Sequence, residues 1–70
     1  MKWSSIEERW PEFLAAAKRQ WGKLSEEQIW GTRGRRIYLT KRVQEAYGLT
    51  KWEADRQITD WQTKQVARHP

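Results

Sequence analysis

Apolar positions recur along this chain at helical pitch. At about 100° per residue, Trp3, Ile6, Trp10, Phe13, Leu14, Ala17, Trp21 and Leu24 fall within an arc of roughly 100°. A strand, with its period of two, could not gather them. Glu8, Glu12 and Arg19 occupy the opposite side, so an amphipathic helix is expected from about Ser4 to Lys23. Ser4 and Ser5 each have Glu three positions later, the pattern of a capping box at its start. Pro11 lacks an N–H and disfavours helical geometry at Trp10, which predicts a short first turn, a break, and then the main helix with Pro11 near its first position. Gly22 is the expected stop.

Three further segments follow. Ser25 with Gln28 forms another capping-box pattern, with Glu26 and Glu27 where the helix dipole favours acids. Ile29 and Trp30 supply the apolar contact of this short helix, and Gly31-Thr32-Arg33-Gly34 interrupts it. A third helix is expected from about Arg33 or Gly34 to Tyr47, with Leu39, Val43, Ala46 and Tyr47 as its stripe and Gly48 as a left-handed cap. Arg36 falls on that apolar side, so its guanidinium either reaches past the core edge to water or meets a carboxylate from another helix. Ile37 and Tyr38 lie off the stripe, among bases. Thr50 and Glu53 make a capping box for the fourth helix, whose inner face carries Ala54, Ile58, Trp61 and Gln65. That helix is expected to fray near Val66 and leave residues 67–70 as a loose tail.

No segment alternates at period two. The chain therefore reads as all-α, a small bundle of three main helices plus one short helix, forming a single domain over residues 1–70. Its shared core is expected to hold Trp10, Leu14, Trp21, Leu39, Val43, Tyr47, Ile58 and Trp61. Six Trp in 70 residues are mainly large core fillers. Trp30 and Trp52 are the exceptions: each either packs against neighbouring helices or stacks on nucleobases.

Charge changes the picture locally. The chain carries 14 bases and 9 acids, and residues 31 to 42 alone contribute Arg33, Arg35, Arg36, Lys41 and Arg42 with no acid. The whole excess of +5 resides there. Such a cluster can attract phosphate groups, or it can be a solvated helix face whose long stems cover apolar surface. Arg33, Arg35, Arg36, Tyr38, Lys41 and Arg42 are the candidate contacts for nucleic acid or another polyanion.

Composition excludes most chemistry. The chain has no Cys, hence no disulfide framework, Cys-ligated zinc or thiol nucleophile. Its single imidazole, His69, stands one residue from the end. Ser4, Ser5 and Ser25 have capping explanations, and the paired acids Glu7/Glu8 and Glu26/Glu27 sit in first turns. A bundle this small has little volume for a pocket that would tune a carboxyl. The expectation is a non-enzymatic protein with no cofactor and no metal. No apolar run approaches the roughly 20 residues of a membrane span, and Met-Lys-Trp-Ser-Ser lacks the apolar stretch of a signal peptide. A cytoplasmic monomer of unknown partner is expected. Gly31-Thr32-Arg33-Gly34 matches the GxxG loop of KH domains in form only, since those need a sheet. The short second and longer third helices make no convincing helix-turn-helix.

The order and spacing of several runs resemble one family. Gln20-Trp21-Gly22-Lys23-Leu24-Ser25 followed by acids, Gly34-Arg35-Arg36 with Leu39, Val43-Gln44-Glu45-Ala46-Tyr47-Gly48, and Thr50-Lys51 with Ala54, Ile58 and Trp61 are together similar to the CsbD-like general stress proteins of bacteria. Trp3, Ile6 and Trp10 fit the opening of that pattern, so the resemblance spans residues 3 to 61. Pro11, Ala15, Ala16, Gly31 and Thr32 depart from it, and so do Ile37, Tyr38 and Lys41, which stand where polar residues and a Gly are usual. The resemblance implies a small, hydrophilic helical bundle made under general-stress or stationary-phase control, and it brings no catalytic residue, cofactor or ligand. A stress-response protein that associates protectively with macromolecules is thus the leading expectation. A nucleic-acid-binding module using the basic segment, with Tyr38 or Trp30 stacking on bases, is the alternative. A third reading lays the Trp-rich first helix on a membrane surface.

Overall fold

The computed structural model describes the backbone of residues 2–68 and the side chains of residues 2–65. Among these the chain forms five helices and no strand: α1 (Trp3–Glu8), α2 (Trp10–Gln20), α3 (Glu26–Gly31), α4 (Arg36–Tyr47) and α5 (Lys51–Arg68). The expected all-α bundle is what forms, with three longer helices. The expected first segment is split in two at Arg9.

The break at Arg9 (φ −108°, ψ 27°) lies one residue before Trp10-Pro11, so Pro11 falls in the first turn of α2, where its missing N–H costs no bond. The capping box expected at Ser4 or Ser5 does not form. Both serines lie inside α1, and Lys2 is its N-cap without a side-chain bond. The reason is tertiary. Trp3 donates its indole N–H to the Gly34 carbonyl at 2.8 Å and meets Trp61 edge-on, with ring centroids 6.0 Å apart. These contacts draw the helix start back to Trp3. Helix α2 stops directly before Gly22, as expected, but without a left-handed glycine: positive φ among the glycines is confined to Gly34 and Gly48. Trp21 is the C-cap of α2; its ring is buried and its indole N–H donates to Gln57 Oε1 at 3.2 Å. Lys18 Nζ then satisfies the carbonyls of Gly22 and Leu24 at 3.1 and 2.6 Å.

The other starts are local and form as read. Ser25 Oγ accepts from the Gln28 N–H, and Gln28 Oε1 accepts from the Ser25 N–H. Thr50 and Glu53 exchange the same pair of bonds at 2.9 and 3.1 Å. Gly48 caps α4 at φ 65°. Helix α4 begins at Arg36, two or three residues later than expected, because Arg33 (φ 54°) and Gly34 (φ 76°) carry the turn. Gly31 belongs to the end of α3. The interhelical loop is pressed onto the α1–α2 junction: a Cβ on Gly34 would lie 3.0 Å from Glu7 Cα and 3.1 Å from Trp10 Cβ. Thr32 and Gly34 of this GxxG run are buried, while Gly31 and Arg33 are exposed. Helix α5 runs through Arg68, past Val66 and into the segment expected as a tail; His69 and Pro70 lie outside the described residues.

The core comprises Ile6, Trp10, Phe13, Ala17, Trp21, Leu24, Ile29, Leu39, Val43, Ala54, Ile58 and Trp61. Leu14 and Tyr47, expected inside, are only partly buried against it. Leu14 stands at the margin of the α2 stripe beside Pro11 and Ala15. The Tyr47 hydroxyl accepts the Lys23 N–H at 3.2 Å, which keeps its polar end outward. Trp30, expected as a contact of α3, is 54% exposed. Trp10 and Trp21 are buried, so the inner face of α1 and α2 is already covered and is not available to lie on a membrane.

Candidate functional site

Helix α4 and the turn before it position all six residues expected to meet an anion, but they do not act as one cluster. Arg36 is drawn into the fold. Its guanidinium donates to Asp55 Oδ1 at 3.0 Å, to Gln62 Oε1 at 3.1 Å and to the Thr59 hydroxyl, and lies over the Trp3 ring at 5.5 Å. This is the carboxylate partner that its place on the apolar side allowed, and it removes Arg36 from the candidate contacts. Arg35 is exposed, with Nε 3.9 Å from Glu7 Oε1, a distance at which a surface pair is worth little. Arg33 projects from the turn. Lys41 and Arg42 are exposed, and both border a recess between α3 and α4 that Glu27 and Glu45 also line. Of the local excess, only Arg36 is matched at close range among the described residues, by Asp55 of α5, and Arg35 has Glu7 of α1 at 3.9 Å.

What stands open is apolar. Ile37 is 71% exposed and Tyr38 51%. They flank a groove of about 680 Å³ between α4 and α5, bordered further by Thr40, Lys41 and Gln44 on one side and Lys51 on the other. Ile37 and Tyr38 gave a sequence signal, two apolar residues off the stripe. Lys51 gave none, because only the antiparallel return of α5 brings it opposite α4. Trp52 is 68% exposed and carries the Arg56 guanidinium 5.6 Å from its ring centre, apart from the groove. Trp30 likewise lies outside it.

Among the described residues no group of three or more His, Cys, Asp or Glu could hold a metal ion, and no helix is long and apolar enough to cross a membrane. Glu53 has a carboxyl held below its ordinary value of 4.5, first by the Thr50 backbone N–H and then by the Thr50 hydroxyl. That shift belongs to the α5 cap.

Curated relatives match most of the chain. The protein YjbJ of Escherichia coli K12, a UPF0337 protein, is 36% identical over 59 residues, 84% of this chain and 86% of the relative. The chain belongs to the UPF0337 family. Another UPF0337 protein, RPA4217 of Rhodopseudomonas palustris, is 35% identical over 63 residues, 90% of this chain and 96% of its own length. A third, ECA0631 of Pectobacterium atrosepticum, is 38% identical over 53 residues, 76% of this chain and 77% of its own length. No family model matches the chain, and no solved structure does. UPF0337 is the CsbD family, so the similarity of whole chains agrees with the resemblance read from residues 3 to 61. The names of these UPF0337 relatives state no activity, substrate or partner. Three of the positions at which this UPF0337 chain departs from the CsbD-like pattern, Ile37, Tyr38 and Lys41, all line the α4–α5 groove.

Proposed function

We propose that this chain is a non-enzymatic stress-response protein of the cytoplasm that works as a monomer, by reversible association of the outer side of α4 with other macromolecules. The exposure of Ile37 and Tyr38 beside Lys41 carries this reading. The chain fills its core with large side chains and, besides Trp30 and Trp52, still leaves this adjacent pair in water, next to a charge that keeps the surface soluble. Membership of a family whose resemblance implies general-stress control supplies the physiological setting.

The test is suppression of aggregation. A heat-labile enzyme is warmed with and without the protein, and light scattering is followed. Scattering should fall in proportion to added protein and recover with Ile37→Ser/Tyr38→Ser. Scattering unaffected by the wild-type protein removes the association reading; protein levels that stay flat between growing and starved cells remove the stress setting.

A second reading is favoured by the outward position of Arg33, Arg35, Lys41 and Arg42. These four, without Arg36, could meet phosphates while Tyr38 stacks on a base. Affinity for single- and double-stranded DNA, measured at low and near-physiological salt, decides it. Binding no tighter than that of an unrelated domain of equal charge dismisses it.

A further inference from the structure

The geometry points to an acidic amphipathic helix as the occupant of the groove between α4 and α5, an inference that rests on the surface-association reading and names its partner. The groove runs between two antiparallel helices and is lined on the α4 side from Arg36 to Gln44, about 13 Å of helix. Ile37, Tyr38, Arg36, Lys41 and Lys51 are among the residues that line it, and the surface they present is mainly apolar. Straight troughs of this kind accept a third helix through apolar side chains at i, i+3 or i+4, and i+7.

Charge selects the kind of helix. Asp55, the acid that borders the groove, is matched by Arg36 at 3.0 Å. Lys41 on α4 and Lys51 on α5 line the groove from its two sides, and neither has an ion-pair partner among the described residues. A bound helix with acids on both flanks of its apolar row meets both amines, while a basic one is repelled; such complementarity sets partner and register. Other occupants fit less well. A nucleic acid would find an apolar floor and two amines where a phosphate chain needs a row of donors. A bilayer is flat, and this surface is concave. A second copy docked about a two-fold axis would bring its own Lys41 and Lys51 to the same trough.

The test uses two labelled helical peptides of about 14 residues, ~21 Å long, with the same Leu spacing, one flanked by Glu and the other by Lys. Fluorescence anisotropy with the full chain should show the Glu peptide binding at least about tenfold more tightly. Lys41→Glu/Lys51→Glu should reverse the preference, and Ile37→Ser/Tyr38→Ser should abolish binding of both peptides. All four side chains are exposed, and a circular-dichroism melt of each variant confirms that the bundle is intact. The proposal is overturned by equal binding of the two peptides, or by a preference that survives the charge reversal. It is equally overturned by displacement of the Glu peptide by an oligonucleotide, or by a dimer in sedimentation that Ile37→Ser dissolves. Absent peptide binding with aggregation suppression intact would remove the groove's occupant alone and leave surface association standing.

Discussion

Gly34 meets two demands at once. Its φ of 76° lies in the left-handed region, and a Cβ added to it would crowd Glu7 and Trp10. Gly48 meets only the first, with φ 65° and open space where a Cβ would go. The two glycines therefore separate backbone strain from crowding. Gly48→Ala should cost about 1–2 kcal/mol, the left-handed penalty of an L residue. Gly34→Ala should cost that and a further ~1–3 kcal/mol for overpacking. Urea unfolding of the two variants side by side measures the difference; equal losses would mean the loop yields. Arg36 shows where residue-scale reading of a sequence stops. Its place on an apolar stripe limited it to water or a carboxylate, and the carboxylate is Asp55, a residue that nothing in the neighbourhood of Arg36 marks. Counting it with the free bases overstated the positive patch, since charge sums by segment ignore partners that folding brings from 19 residues away.

Among the elements, starts set by adjacent residues were legible and starts set by distant ones were not. Ser25 with Gln28 and Thr50 with Glu53 complete their bonds within one turn, so spacing alone located α3 and α5. Ser4 and Ser5 had the same spacing, yet the indole of Trp3, bonded to a carbonyl 31 positions along the chain, decides where α1 begins. Position along the stripe likewise placed Ile29 and Trp61 correctly, but missed Leu14 and Tyr47 at its edges, where a few degrees of rotation decide burial. The α5 cap has a pH signature. Glu53 accepts in its charged form, so its carboxyl titrates below the ordinary value of 4.5. Its contribution to stability is complete above that value and is lost as the pH falls through the lowered one. Glu53→Gln keeps an acceptor and removes the titration. The drop in melting temperature on acidification should be smaller in that variant than in the wild type, and an NMR titration of Glu53 should show a midpoint under 4.5. Identical acid sensitivity of the two proteins would place the titrating group elsewhere.

At the scale of the molecule, Trp61 is where α5 meets α1 and α2. Its ring lies edge-on to Trp3, Trp10 and Phe13, with centroids 6.0 to 6.3 Å apart, and is tilted on Trp21 at 5.3 Å. One side chain of α5 thus touches α1, α2 and the end of α2. Trp61→Ala should cost about 3–5 kcal/mol. A 70-residue domain shifts by roughly 4–8 °C for each kcal/mol, so the variant should melt far below the wild type or fail to fold at room temperature. A nearly unchanged calorimetric midpoint would show that the remaining rings close the gap. The binding surface was the least legible feature, for a reason of the same scale: the groove exists only once α5 folds back along α4 and sets Lys51 across from Lys41. The division of the indoles has a further consequence. Trp30 and Trp52 stand in solvent while Trp10, Trp21 and Trp61 are sealed together. An aqueous collisional quencher extinguishes the red-edge emission of the first pair and leaves the blue emission of the others. The chain thus carries an intrinsic optical label for its surface and another for its interior, each readable without attaching a dye.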